Sequence, residues 1–184
     1  MGKRSNETIT LGSGKLYCLE YEGTIPSDEV IETEENRLAW IKGGAALEYT
    51  GERYETKDDL GMVSKSKINS EDALLKSGIM TWNGQVLKKL CSTARVTEAA
   101  GVRTVKIGGT QNDDGKSYII HFLHEDAVDG NVRCTIVGKN TSGFTLTFAA
   151  DAETVIDAEF KAESGKLDKE GTLILYKEDI DASA

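Results

Sequence analysis

The sequence has few residues that could form disulfides or bind metals. Among 184 residues there are one proline, three cysteines and two histidines. Cys18, Cys91 and Cys134 lie far apart with no CxxC pair, which favours reduced, buried thiols over a disulfide framework or a metal site. No apolar run approaches the roughly 20 residues of a membrane helix, and the polar N-terminus lacks the apolar core of a signal peptide. We therefore expect a protein made in the cytoplasm, with no membrane partner.

Side chains suited to catalysis are equally scarce. His121 and His124 are three residues apart in a predicted strand, so they point to opposite faces and do not converge on a metal. The carboxylate pairs at 58–59 and 113–114 lie in predicted turns and do not form an acid/base dyad with a raised pKa. The residues predict no catalytic, cofactor-binding or metal-binding site, and a protein that is not an enzyme.

The charge is acidic and unevenly distributed. The net charge is −9, with −6 in residues 1–60, +3 in residues 61–150 and −6 in residues 151–184. A protein that grips nucleic acid presents a net basic face, and this sequence does not predict one. An acidic surface can instead repel DNA and let it slide, or simply keep the chain soluble. The hydrophobic share, 39%, supports a core, and the length suits a single domain over residues 1–184.

Alternation of apolar and polar residues with a period of two is the main secondary-structure signal. Asp72–Trp82 is compatible with a helix or a strand, and Gly78 favours the strand. The continuous apolar run at Tyr118–Leu123 predicts a strand covered on both faces. Strands are predicted at Gly14–Tyr21, Arg37–Lys42, Ala45–Thr50, Asp72–Trp82, Tyr118–Leu123, Val132–Ile136, Gly143–Ala149, Val155–Glu163 and Gly171–Tyr176.

One helix is predicted at about residues 83–92. Asn83 is a good N-cap, and Val86, Leu87, Leu90 and Cys91 form one apolar stripe. The sequence therefore predicts a mainly β fold. We expect an antiparallel β-sandwich or barrel with one short packed α-helix and a long protruding β-hairpin arm.

Two polar segments are long for a small domain. We interpret residues 22–36 as a loop or arm. We interpret Glu52–Lys67 as an extended hairpin arm because it has few large apolar groups. Long ordered arms often reach a neighbouring subunit, and the alternative is a flexible surface loop. The sequence alone leaves both interpretations open.

Several segments, in this order along the chain, resemble the major tail tube proteins of siphophages that infect Gram-positive bacteria. The matching segments are Ile41–Thr50, Tyr54–Gly61, Ser77–Gly84, Arg103–Gly109, Gly143–Phe148 and Ile156–Ala162. The resemblance covers most of the chain.

The resemblance implies a β-sandwich or barrel flanked by a helix, a fold shared with contractile-tail tubes and the tube protein of type VI secretion. Members of the family form rings, usually hexamers, whose inner sheets join into one β-barrel around a channel. Rings stack through a long hairpin and an N-terminal arm. On this chain the hairpin would be Gly44–Lys67 and the N-terminal arm Met1–Ser13.

The resemblance also implies the partners. They are further copies of the chain, the tape measure protein, the tail terminator and the distal tail or baseplate proteins. Double-stranded DNA passes through the channel without sequence-specific binding. The expected location is the tail of the virion, assembled in the cytoplasm of the bacterial host, and the family has no catalytic residues, cofactors or metals.

We predict that the hairpin makes the contacts between rings, because it carries charged and aromatic side chains and has no core to join. These residues are Tyr49, Arg53, Tyr54, Lys57, Asp58, Asp59 and Leu60. Asp157 and Glu159 are candidates for an acidic lumen, and an outer-surface role is equally open for them. The competing hypotheses are another ring-forming protein, such as a tail-completion, head-decoration or secretion-tube protein, and a small β-barrel enzyme with a convergent polar site.

Overall fold

The computed structural model describes residues 10–180, in which strands dominate. The predicted N-terminal arm at residues 1–13 falls largely on residues 1–9, outside the described range. The strands are β1 (Lys15–Glu20), β2 (Arg37–Ala39), β3 (Ile41–Lys57), β4 (Ser64–Ile79), β5 (Arg95–Ala99), β6 (Val102–Lys106), β7 (Tyr118–His124), β8 (Val132–Asn140), β9 (Ile156–Ala162) and β10 (Leu175–Glu178). The helices are α1 (Asp28–Ile31), α2 (Gly84–Leu90) and two 3-10 turns, Glu34–Asn36 and Thr110–Asn112.

Eight of these strands form one antiparallel sheet in the order β2-β1-β7-β8-β9-β4-β3, with β10 attached to β8. Strand β8 is the branch point. One edge of β8 pairs with β7, while the other pairs first with β10 near Val132 and then with β9 near Gly138. The sheet therefore divides at β8 into two halves, which confirms the predicted mainly β, sandwich-like fold.

The core lies between these halves and α2. Buried side chains from β1, β7 and β8 join those of β4 and β9 in one hydrophobic cluster that includes Ile120, Leu75 and Phe160. A second, smaller cluster on the opposite face of β7 contains Ile119 and Leu123. Strand β7 is therefore covered on both faces, as its continuous apolar run predicts.

Residues 22–36 do not form an arm. The segment folds over the outer face of β1 and β7, where α1 and the following 3-10 turn lie, and Ile31 is fully buried. The loop prediction is confirmed for residues 22–27, which form no helix or strand, and the prediction of an arm was wrong. The three apolar residues of this acidic stretch, Ile25, Val30 and Ile31, follow no strand or helix periodicity that would predict packing. Burial of Ile31 and the contacts of Glu32 fix the segment to its own sheet.

The predicted helix is confirmed with slightly shorter bounds. The side chain of Asn83 accepts hydrogen bonds from the backbone N–H groups of Gln85 and Val86 at 2.8 and 3.2 Å, as expected of an N-cap. Val86, Leu87 and Leu90 are buried, and Cys91 follows the helix as its C-cap. No helix within residues 10–180 is long and apolar enough to cross a lipid bilayer.

Three predicted strands are wrong in part or in full. Gly143–Ala149 forms no strand. The side-chain amide of Asn140, at the end of β8, donates a hydrogen bond to the carbonyl of Gly143 at its start. The predicted last strand, Gly171–Tyr176, begins only at Leu175 and continues to Glu178. The predicted strand Arg37–Lys42 is interrupted at Trp40, where the chain changes its partner from β1 to β4.

A small hairpin, β5–β6, was not predicted. It forms a separate two-stranded sheet, with Val96 paired to Val105. Its turn residues Ala100 and Gly101 have φ of 50° and 77°, the positive values that a two-residue type I′ turn requires. The turn has Ala-Gly in place of the usual Asn-Gly, so the sequence pattern did not predict it.

Candidate assembly surface

The most exposed structural feature is the hairpin formed by β3 and β4. The two strands pair in register from Ile41–Ile79 at the base to Lys57–Ser64 at the end. Every residue from 46 to 72 is exposed, and this part of the hairpin is called the ribbon below. At its base, Ala73, Leu75 and Ile79 are buried in the core. The ribbon is thus anchored firmly at one end and has no core of its own.

The root of the ribbon contains a two-glycine bulge. Lys42 pairs with Gly78 and Ala45 pairs with Ser77, so Gly43 and Gly44 are extra residues on β3. Both glycines have positive φ, 80° and 75°, which other residues adopt only with strain. A Cβ atom on Gly78 would lie 2.7 Å from the carbonyl oxygen of Lys42. The close approach of the two backbones therefore requires glycine on β4 as well.

A second bulge lies halfway along the ribbon. Glu52 pairs with Ser70 and Arg53 with Ile68, which leaves Asn69 as the extra residue on β4. Bulges bend a strand and increase its twist. They also make an exposed edge a poorer template for indiscriminate pairing with other chains. The two bulges therefore bend and twist the ribbon at its root and at its middle.

The end of the ribbon, residues 58–63, is called the tip. Asp58 organises it, since its carboxylate accepts the N–H of Val63 at 2.7 Å and its carbonyl accepts the N–H of Gly61 at 2.9 Å. Hydrogen bonds from backbone N–H groups, that of Val63 foremost, lower the pKa of the Asp58 carboxyl. Asp58 was predicted as a contact between rings, and the structure uses its carboxylate inside its own turn.

The tip exposes apolar side chains. Leu60 is 81% exposed, Met62 is 82% exposed and Val63 is 70% exposed. Contiguous apolar side chains at the end of a projecting element are uncommon on soluble monomers and mark interaction sites. The sequence prediction included Leu60 and missed Met62 and Val63, although the three fall within four residues of one another.

The predicted contact residues all lie on the ribbon, on different sides of it. Strand alternation places Tyr49, Arg53 and Lys57 on one face and Tyr54 on the other. The hydroxyl of Tyr49 donates a hydrogen bond to the carboxylate of Glu71 across the ribbon. The tip carries Asp58, Asp59 and Leu60. The predicted contact residues are therefore divided among two faces and the end of the ribbon.

The two acidic candidates for a lumen lie on β9, where the strand faces outward. Asp157 is exposed and Glu159 is half-buried, while the alternate residues of β9 are in the core. The Nζ of Lys76 lies 3.6 Å from Glu159 and 2.8 Å from Glu48. The hydrogen bond to Glu48 is the main cause that raises the pKa of Lys76. Glu159 therefore shares the Lys76 ammonium group with Glu48, whereas Asp157 has no ion pair within residues 10–180.

Next to Asp157 the outward face of β9, β4 and β3 holds an open groove of about 370 Å³. Its lining includes Gly43, Gly44, Ala46 and Gly78. The groove exists because the glycine bulge leaves the backbone uncovered.

The histidines have separate partners. His121 is fully buried, with Nδ1 2.8 Å from the Thr135 hydroxyl and Nε2 3.2 Å from the Glu32 carboxylate. His124 donates from Nδ1 to the carbonyl of Ser13 at 2.7 Å. Each ring is held by neighbouring elements of the fold, in agreement with the prediction that the two do not converge.

The two buried thiols are unsuited to nucleophilic chemistry. Cys18 and Cys134 are buried, and burial raises the pKa of Cys18 to about 12 and raises that of Cys134. Cys91 is half-buried, with Sγ 3.3 Å from the Thr93 hydroxyl. In the described range, no group of three or more His, Cys, Asp or Glu side chains is arranged to hold a metal ion.

Comparison with known proteins gives no relative: no protein-family model matches the chain, and neither does any curated protein.

Proposed function

We propose that the chain is a structural subunit of a phage tail tube, polymerising into stacked rings, hexameric as in the family it resembles. The observation that carries the proposal is the ribbon: a hairpin exposed on both faces from residue 46 to 72 and ending in an apolar tip. An isolated two-stranded ribbon is only marginally stable in water. A partner that covers the ribbon supplies the burial that the monomer lacks.

Ring formation would use strand edges. The outer edge of β3 has no strand partner among the described residues, since β4 occupies only the inner edge. Unpaired N–H and C=O groups along an edge can pair with a strand from another chain. Within a ring each copy would extend the sheet of its neighbour, and the ribbon would reach the next ring.

The role in DNA passage follows from the charge of the assembled channel. A net charge of −9 per chain disfavours tight binding of phosphates and suits transient passage of double-stranded DNA. Asp157 is the stronger lumen candidate of the two, because Lys76 compensates part of the charge of Glu159. In this proposal the protein is not an enzyme, and its partners are copies of itself, the tape measure protein, and the terminator and distal proteins of the tail.

A shortened ribbon tests the proposal. Thr50 and Asp72 are paired in register, so residues 51–71 can be replaced by Asn-Gly, a two-residue type I′ turn that closes the hairpin early. We expect long tubes by electron microscopy of the concentrated wild-type protein and none with the shortened protein. Tubes formed by the shortened protein would contradict the stacking role of the ribbon. Deletion of Gly51–Leu60 alone gives a second, independent version of the same test.

The alternative is another ring-forming protein, such as a tail-completion, head-decoration or secretion-tube protein. The same ribbon and free edge support that function. Tail-completion and decoration proteins would form single rings or trimers and stop, so the length of the polymer separates them from a tube subunit. A wild-type protein that yields only closed rings at high concentration would favour this alternative.

A further inference from the structure

The chain contains a single Asn-Gly pair, Asn83-Gly84, at the start of α2. Asparagine is a thermolabile residue, and the reaction that degrades it is deamidation by its own chain. The backbone nitrogen of the following residue attacks the side-chain carbonyl carbon, and glycine hinders this attack least because it has no side chain. Among the asparagines of the chain, Asn83 is thus the one whose sequence neighbour favours the reaction.

The reaction needs no cofactor, and water is its only co-reactant. A bond forms between the Gly84 nitrogen and Cγ of Asn83, the bond from Cγ to Nδ2 breaks, and the Gly84 N–H proton leaves with Nδ2 as ammonia. Water then opens the resulting cyclic imide, a succinimide, at either of its ring carbonyls. Opening at the side-chain carbonyl gives aspartate. Opening at the backbone carbonyl gives isoaspartate, in which the main chain runs through the former side chain.

The surroundings of the pair leave it open to this chemistry. The side chain of Asn83 is exposed, and Nδ2, the leaving group, has no hydrogen-bond partner within residues 10–180. The N–H of Gly84 belongs to the first helical residue and therefore has no acceptor within the helix. A larger residue at this position is disfavoured, because a Cβ atom would lie 2.7 Å from Cδ of Arg103 and from Cγ2 of Val105.

The N-cap arrangement opposes the reaction while the first turn of α2 is closed. Oδ1 of Asn83 accepts the N–H groups of Gln85 and Val86 at 2.8 and 3.2 Å, and the backbone at Asn83 is extended, with ψ of −177°. The cyclic imide is nearly planar, so the Gly84 nitrogen must rotate about the Cα–C bond of Asn83 to reach Cγ. Because the helix follows that nitrogen, the rotation pulls both N–H groups away from Oδ1.

We propose that Asn83-Gly84 is a self-modification site gated by α2. The pair deamidates when the first turn of the helix opens and is protected when the cap is closed. Local opening of a short helix costs less free energy than global unfolding, so the reaction proceeds slowly in the folded chain. This inference goes beyond the proposed function and does not depend on assembly.

The two products have opposite effects on α2. Aspartate keeps an acceptor at the N-cap and adds a negative charge at the positive end of the helix dipole. Isoaspartate adds a carbon atom to the main chain before Gly84, so the N–H groups of the first turn lose their acceptor. Since Val86, Leu87 and Leu90 are buried, isoaspartate turns a reversible opening of α2 into a permanent loosening of the helix.

The first test compares the native chain with the same chain unfolded in guanidinium chloride, at equal pH and temperature. Mass spectrometry of the peptide that contains Asn83 follows the exchange of the amide nitrogen for oxygen. Methylation by a protein isoaspartate methyltransferase then measures the isoaspartate share. We expect conversion to be at least about ten-fold slower in the native protein. Equal rates would overturn the gate, and an unconverted Asn83 in the unfolded chain would overturn the site itself.

Val105→Ala loosens the gate without changing the reacting pair. It removes the Cγ2 methyl group beside Gly84, so we expect several-fold faster conversion in the native protein and an unchanged rate in the unfolded chain. Thr104→Ala is the matched control, because Thr104 is exposed on the opposite face of β6 and should leave both rates unchanged. An unaltered native rate in Val105→Ala would contradict gating by α2.

Asn83→Asp separates the effects of the two products. This variant reproduces the aspartate product, and we expect its melting temperature to equal or exceed that of the wild type. The isoaspartate form is isolated by chromatography from aged wild-type protein. We expect it to exchange the amide hydrogen of Leu87, which bonds to the Asn83 carbonyl at 3.0 Å, several-fold faster than Asn83→Asp does. Equal exchange in the two proteins would overturn the loosening of α2 by isoaspartate.

Discussion

The Nε of Arg133 donates a 2.6 Å hydrogen bond to Oε1 of Glu32, which joins the C-cap of α1 to β8. Both side chains are largely shielded, with 15% and 17% of their surface exposed. The same carboxylate oxygen lies 3.2 Å from Nε2 of the buried His121. Glu32 thus provides a hydrogen-bond partner for the Arg133 guanidinium and for the His121 imidazole, which are both shielded from water.

Removing the Glu32 carboxylate should therefore destabilise the fold. We expect Glu32→Ala to lower the free energy of unfolding by about 2 kcal/mol, because a shielded charged hydrogen bond is lost and Arg133 keeps only Asp179 at 2.9 Å and the more distant Asp28 at 3.9 Å. Urea denaturation measures the change. The matched control is Glu34→Ala, whose side chain is 77% exposed beside Arg37 and should change stability by less than about 0.5 kcal/mol. Equal losses in the two variants would contradict the assignment.

Stability should fall in mild acid because of His121. Burial lowers the pKa of this histidine below its ordinary value of 6.5, and the interaction with Glu32 only partly opposes the effect. Between the folded and unfolded pKa values the unfolded chain binds more protons, so the free energy of unfolding decreases as the pH falls below about 6.5. Denaturation curves recorded from about pH 7 to pH 5 measure the slope.

His121→Asn removes the titrating group and keeps a polar side chain beside Thr135. We expect the pH dependence of its unfolding free energy to be flatter than that of wild type over the same range. A slope unchanged by the substitution would show that another group causes the acid sensitivity.

The pairing of β8 with β9 at Gly138 requires a glycine. A Cβ atom on Gly138 would lie 1.8 Å from the carbonyl oxygen of Lys161, so the strands would have to separate. We expect Gly138→Ala to cost about 3 kcal/mol of stability, measured by thermal unfolding. Gly51→Ala is the control because its Cβ would meet nothing closer than 3.4 Å. A Gly138→Ala protein as stable as the control would mean that β8 and β9 can move apart at this point without a measurable loss of stability.

The β5–β6 turn should gain stability from a better turn residue. Ala100 has φ of 50°, a conformation that costs alanine about 1 kcal/mol and that asparagine tolerates. We expect Ala100→Asn to slow amide hydrogen exchange across β5 and β6 by several-fold. Ala99→Asn, in the adjacent strand position, should give no such protection. Faster exchange in Ala100→Asn than in wild type would contradict the turn assignment.

The tip should loosen when Asp58 loses its carboxylate. Asp58→Ala removes the acceptor of the Val63 N–H, so we expect faster amide exchange at Val63 with no change in the melting temperature. Asp59→Ala is the control, because no hydrogen bond of the tip uses the Asp59 side chain in the described structure. A slower or unchanged exchange rate at Val63 in Asp58→Ala would show that the backbone alone holds the turn.

The parts of the fold that the sequence predicts well are those in which local pattern and tertiary packing agree. Strand β9 alternates buried and exposed residues, as the pattern from Ile156 to Ala162 predicts. At Gly143–Ala149 the alternation is as regular, yet only Phe144 and Leu146 reach the core, while Phe148 is 79% exposed. Periodicity reports which residues can face a core and does not report whether a neighbouring strand is available.

The candidate site was predicted in outline only. The lack of large apolar residues between Glu52 and Lys67 indicated a projecting hairpin, and the structure has one. The groove at its root was not predictable, since it depends on a bulge that brings Gly43 and Gly78 together. The Glu32–Arg133 contact joins residues far apart in sequence, and no local pattern encodes it. The role of the Asp58 carboxylate in the tip turn could have been predicted from the sequence, because an Asp that precedes a glycine in a turn often accepts hydrogen bonds from the nearby backbone.

The branching of the sheet at β8 has a consequence for the order in which the chain folds during synthesis. The ribbon is a hairpin of neighbouring strands and can form as soon as Ile79 has left the ribosome. The central sheet needs β1 to meet β7 and β8 to meet β10, the last strand within residues 10–180, and such distant pairings form slowly. For that interval a nascent chain exposes the apolar side chains of the tip before its central sheet has formed. Polysomes translating this message would hold several such exposed apolar tips close together.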